Sequence, residues 1–152
     1  MLLDCDASQL EVRVACEVSR DKVLFDELIA EVDRHSENAK DIFGDIKFRQ
    51  EAKAFSFALQ YGATPYMFYA DPKFPNFKLD EWEDIVEAYY TKYKGLKIWQ
   101  DKAYKEVCDT GMYKSCTGRI YSFTKKKTKD GTSEYKRSEV VNYPINNSGL
   151  VQ

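Results

Sequence analysis

From Phe48 to Tyr61 the chain runs without a glycine or proline, is rich in Ala, Lys, Gln and Glu, and then meets Gly62. That composition predicts a helix, and the glycine predicts its end. Arg49, Lys53, Phe57 and Tyr61 recur every fourth residue along it. Such a stripe winds about 40° and rises about 6 Å per step, so two cations precede two aromatics along one face. Arg is a planar fork and Lys a point charge, both suited to a triphosphate, and an aromatic one or two turns on can stack on a base or sugar. An amphipathic helix with Phe55, Phe57 and Tyr61 packed inward and Arg49 and Lys53 solvated accounts for the same pattern.

The rest of the sequence frames that helix. With 152 residues and 43% of them hydrophobic, the chain is one domain or a fragment of a larger protein, with enough apolar material for a core. Aromatic residues make up 14%, which favours packed helices over a solvated tail. The 23 Lys and Arg nearly balance 25 Asp and Glu, so any nucleic-acid site must be local. Cys5, Cys16, Cys108 and Cys116 form no C-x-x-C pair and there is one His, which argues against a zinc site and for reduced thiols. No apolar run approaches the roughly 18 residues of a membrane span, so a cytoplasmic location, bacterial or in the host of a phage, is expected.

A mainly α fold with some β is expected. Met1 to Ala7 reads as a strand running into Ser8, an N-cap with Glu11 three residues on. Leu10, Val14 and Ala15 recur at helical spacing, Val23 to Val32 gives a second helix, and Ser36 to Phe43 a third that Gly44 stops. Pro65, Pro72 and Pro75 mark an irregular connection. A helix follows from Leu79 to about Lys94, and Gly95 separates it from another that reaches Thr110. Arg119 to Phe123 and Ser133 to Arg137 alternate around an Asp130-Gly131 turn, a hairpin signature with a lysine-rich tip.

Asp6-Ala7-Ser8-Gln9-Leu10-Glu11-Val12-Arg13 places one carboxylate at a strand end and another on the first helical turn. A strand-end carboxylate suits a hard cation such as Mg2+. Asp4 shares the strand face of Asp6, so spacing alone does not choose between them. Acids favoured by a helix N-terminus are the plainer account.

The order D-x-S-Q-x-E-x-R, then R-x-x-x-K-x-x-x-F-x-x-x-Y-G, resembles motifs A and B of the family A DNA polymerases, the bacterial DNA polymerase I type. The resemblance implies that Asp6 is a catalytic metal ligand for Mg2+ and Glu11 a steric gate against the ribose 2′-hydroxyl, with Gln9 also at the nucleotide. It implies that Arg49 and Lys53 bind the triphosphate and serve catalysis, that Phe57 packs on base and sugar, and that Tyr61 sits beside Glu11 and the templating position, with Gly62 next to DNA. Phe at 57 implies discrimination against dideoxynucleotides. Asp33-Arg34-His35-Ser36 resembles the family's D-x-H-[ST] step, in which the His approaches phosphate. Asn142-Tyr143-Pro144-Ile145 resembles the start of N-x-P-[VI]-Q-[GS], which implies that Asn142, and Asn146 in place of the Gln, contact DNA; Asn147 replaces the small residue.

The resemblance divides the chain into a palm strand and helix (1–19), fingers (20–111, with the gripping helix at 48–62), a hairpin (112–138) and the start of a return to the palm (139–152). Thr117-Gly118-Arg119 resembles T-x-x-G-R without the two-residue gap. Two-metal nucleotidyl transfer needs a second carboxylate, which the family supplies from a later V-H-D-E motif, and the chain shows none. The expectation is therefore part of a DNA-directed DNA polymerase, inactive by itself, that works with primer-template DNA, deoxynucleoside triphosphates and the remaining palm and thumb segments. A non-catalytic nucleotide- or nucleic-acid-binding module is the second reading.

Overall fold

Eight helices carry most of the described residues, 10–128 and 130–148, of this computed structural model. The expected opening strand, with Asp4 and Asp6, and the following Ser8 and Gln9, lie outside them. The helices are α1 (Leu10–Ser19), α2 (Lys22–Ile29), α3 (Arg34–Phe43), α4 (Arg49–Gln60), α5 (Pro65–Ala70), α6 (Leu79–Lys92), α7 (Lys94–Thr110) and α8 (Arg137–Ser148), with a 3-10 turn at Ile46–Phe48 before α4. Strands β1 (Met112–Lys114) and β2 (Ile120–Ser122) pair antiparallel, as do β3 (Lys126–Lys127) and β4 (Ser133–Glu134). None of the described helices is long and apolar enough to cross a membrane.

The mainly α expectation holds, and four local readings change. The Ile120–Ser122 strand does not pair with the segment after Asp130-Gly131; it pairs with Met112–Lys114, with Tyr113 opposite Tyr121. The Asp-Gly turn closes a second, shorter hairpin instead, in which Lys126 faces Glu134. Pro65 starts α5 as its first residue, where its missing N–H costs nothing. The break between α6 and α7 falls at Tyr93, which caps both, and Gly95 lies inside the first turn of α7.

Gly95 is there for close approach. A Cβ on it would stand 2.7 Å from Asp21 Cα, because α2 and α7 share one cap. Buried Asp21 accepts from Leu24 N through Oδ1 (3.0 Å) and from Leu96 N through Oδ2 (3.1 Å). One carboxylate thus satisfies orphan donors of two helices and locks their ends together.

The core is aromatic. Trp82 of α6 stacks on Phe55 of α4 and Phe68 of α5, with ring centroids 5.9 and 5.3 Å apart, and meets Phe43 of α3 edge-on. On α4 the buried residues are Ala52, Phe55, Ser56, Leu59 and Gln60, an i, i+3, i+4, i+7, i+8 stripe. That face belongs to the core, which turns the opposite one outward. A buried ionic joint lies behind α3: Glu27 of α2 meets Arg34 at 3.2 Å and Lys92 of α6 at 3.1 Å, and Tyr93 donates to it at 3.0 Å.

Candidate nucleotide site on the outer face of α4

The core stripe leaves Arg49, Lys53 and Phe57 on one side of α4, with Arg49 and Phe57 part-exposed and Lys53 exposed. The N-terminal turn of α3 faces this side. Asp33 caps α3 by accepting from Ser36 N (3.3 Å), and its two oxygens also take Arg49, Nε at 3.0 Å and one terminal nitrogen at 3.2 Å. Ser36 Oγ donates to the same carboxylate (2.7 Å) and accepts from Arg49 Nε (3.2 Å). The Arg49 and Ser36 hydrogen bonds hold the Asp33 carboxyl well below the usual carboxylate range. A guanidinium has five donors in a plane, so this grip fixes its orientation and leaves donors over.

His35 follows in the same turn. Its ring centroid lies 5.9 Å from that of Phe57, and Lys53 Nζ sits 6.0 Å from the Phe57 centroid on the same helix. Burial lowers the His35 pKa, and the charges of Arg34, Arg49 and Lys53 lower it further. Its Nδ1 is buried without a hydrogen-bond partner. Lys53 makes no ion pair with any carboxylate among the described residues. One uncompensated cation, Lys53, and a histidine held toward its neutral form therefore flank the Phe57 ring, with the Asp33-held Arg49 one turn before Lys53.

The C-terminal end of α4 makes a second cluster. Tyr61 donates from its hydroxyl to Asn146 Oδ1 at 3.1 Å, and Asn146 donates in turn to Asn142 one turn back on α8. The Tyr61 phenol pKa is raised by burial and by the Glu11 carboxylate of α1. Gln60 Nε2 donates to the Glu11 carbonyl at 3.1 Å. Gly62 turns the chain at φ +77°, and a Cβ there would meet Val141 Cγ2 of α8 at 3.0 Å. Only a residue without a side chain lets α4 end this close to α8.

The residues read from the sequence thus fall into two groups around one helix: His35, Arg49, Lys53 and Phe57 along its outer side, and Glu11, Tyr61, Gly62, Asn142 and Asn146 at its C-terminal end. Asp6 and Gln9 lie outside the described residues. The part of Asp33 in gripping Arg49 was not read from the sequence, although its position three residues before Ser36 carried the capping signal. Among the described residues no group of three or more His, Cys, Asp or Glu side chains could hold a metal ion.

The sequence matches the profile of DNA polymerase family A over residues 1–150. The chain belongs to this family. Two family relatives, the DNA polymerase I of Caldicellulosiruptor bescii and that of Aquifex aeolicus, are each 30% identical to it over 155 residues, covering 97% and 95% of the chain. The chain spans 18% and 25% of the length of those two proteins. Its fold is similar to part of the POL domain of Pol1 from M. smegmatis, solved in complex with DNA primer-template and dNTP, with a TM-score of 0.75 at 23% identity over 94% of this chain and 26% of that one. Family membership gives the two clusters on α4 a common context.

Proposed function

We propose that this chain is the nucleotide-holding part of a DNA-directed DNA polymerase, with α4 as the gripping helix of the fingers. The observation that carries the reading is Lys53, exposed and unpaired among the described residues, with Arg49 one turn before it, Phe57 one turn after it and His35 against the Phe57 ring. The incoming deoxynucleoside triphosphate lies along this face. Arg49 and Lys53 take its phosphates through charge-assisted hydrogen bonds, His35 offers a further donor, and Phe57 packs on the base and sugar. Asp33 keeps the Arg49 fork in place before the ligand arrives.

At the far end Glu11 stands beside Tyr61 as a gate against the 2′-hydroxyl, and Tyr61, Gly62, Asn142 and Asn146 border the primer-template. Phe57 in place of Tyr supports discrimination against dideoxynucleotides. Mg2+ would be held by Asp6, and it would neutralise charge developing on the transferred phosphate. What the described residues contribute in this reading is binding and orientation of the nucleotide. These residues supply the nucleotide-binding part, and the whole protein works in the cytoplasm of a bacterium or of a phage's host.

Calorimetric titration with a deoxynucleoside triphosphate tests the reading. Arg49→Ala and Lys53→Ala should each weaken binding by about ten- to a hundredfold, the worth of one charge-assisted hydrogen bond. Unchanged affinity in both variants would sink it.

A further inference from the structure

The chain's charge is unevenly spread. Between Arg119 and Arg137 there are seven cations (Arg119, Lys125, Lys126, Lys127, Lys129, Lys136, Arg137) against two acids (Asp130, Glu134), in a chain whose net charge is −2. The centre of this excess is the β3–β4 hairpin. All four residues of its strands are exposed, so the strands themselves bury nothing in the core.

The lysines of the hairpin are not equivalent. Lys126 is tied to Glu139 in the first turn of α8. In extended chain alternate side chains share a face, which puts Lys125 and Lys127 on the face opposite Lys126. Neither has an ion pair among the described residues; Lys125 lies over the Tyr135 ring, 5.4 Å from its centroid, and Lys127 is exposed. The two acids of the hairpin do not reach them: Asp130 accepts from Thr128 and Thr132 within the turn, and Glu134 is paired across from Lys126. Edge protection would account for charges here, but the excess lies on the element that α8 joins to the candidate site. Glu139, which holds the hairpin, and Asn146, which holds Tyr61, are seven residues apart on α8, about 10 Å along a helix.

We propose that the β3–β4 hairpin is a second DNA contact, in which Lys125 and Lys127 sit on the sugar-phosphate backbone, independent of sequence, away from the position beside Tyr61. The inference rests on the polymerase reading, which puts DNA at Tyr61. Its chemistry is counterion release: two lysines on two phosphates add about 1.8 to the slope of log affinity against log salt.

The test is fluorescence anisotropy of a primer-template with the protein at 50 and 200 mM salt. Raising the salt should cost the parent protein about twelve times more affinity than Lys125→Gln/Lys127→Gln, and Lys125→Arg/Lys127→Arg should restore the parent slope. Equal slopes for parent and Gln variant, in proteins with the same melting temperature, would overturn the proposal. Absence of DNA binding by the parent would overturn it too. In either case a deoxynucleoside triphosphate affinity that still depends on Arg49 and Lys53 would leave the nucleotide reading standing.

Discussion

Phe55 and Phe57 stand two residues apart on α4 and meet different surroundings. Phe55 is fully buried against Trp82, Phe68 and Tyr89, whereas Phe57 is half-buried with His35 on one side and Lys53 over its ring. Their substitutions should therefore separate stability from binding. Phe55→Ala is expected to cost about 3–5 kcal/mol in urea denaturation, the range for deleting a core ring, and Phe57→Ala about 1 kcal/mol or less. Nucleotide affinity should fall with Phe57→Ala in protein that remains folded. The four-residue repeat made Phe57 visible in the sequence, but it could not tell which aromatics of the helix face the core. Ala52, Leu59 and Trp82 decide that, and Trp82 arrives from another helix.

The elements are held by joints that leave little trace in local sequence. Asp21 caps α2 and α7 at once, and Gly95 makes room for it. Asp21→Ala would strand two buried donors and should cost about 2 kcal/mol or more. Gly95→Ala would push a methyl into the Asp21 backbone and should cost about 1–3 kcal/mol; both are read as shifts in the denaturation midpoint. Helices α3 and α4 were legible because Gly44 and Gly62 end them. Helix α5 was not, since six residues opening on Pro65 look like the loop around them. The pairing of β1 with β2 was missed for a related reason: three-residue strands carry too little alternation, and the Asp130-Gly131 turn drew the pairing to the wrong partner. Pro144 also conceals α8, which runs through it.

Across the molecule, the candidate site exists because α3 meets the outer side of α4 and α1 and α8 meet its C-terminal end. Glu27, Arg34, Lys92 and Tyr93 join α2, α3 and α6 in a buried ionic cluster, so the turn carrying Asp33 and His35 is held against α4. Motif spacing supplied the residues of the site. It could not supply the Asp33–Arg49 grip or the Tyr61–Asn146 contact, which join positions 16 and 85 residues apart.

His35 reports on this convergence, and it is the chain's one histidine, which makes its NMR signal unambiguous. Burial and the neighbouring cations hold it neutral, below the ordinary value of about 6.5. A depressed histidine contributes stability that is present above about pH 6.5 and is lost as pH falls toward its folded pKa. A triphosphate beside it must act the other way, since negative charge favours the imidazolium. NMR titration of His35 with and without a deoxynucleoside triphosphate should show a pKa below 6.5 in the free protein and an upward shift in the complex, with the shift lost in Arg49→Ala/Lys53→Ala. A His35 pKa that does not move when saturating nucleotide is added would contradict the account.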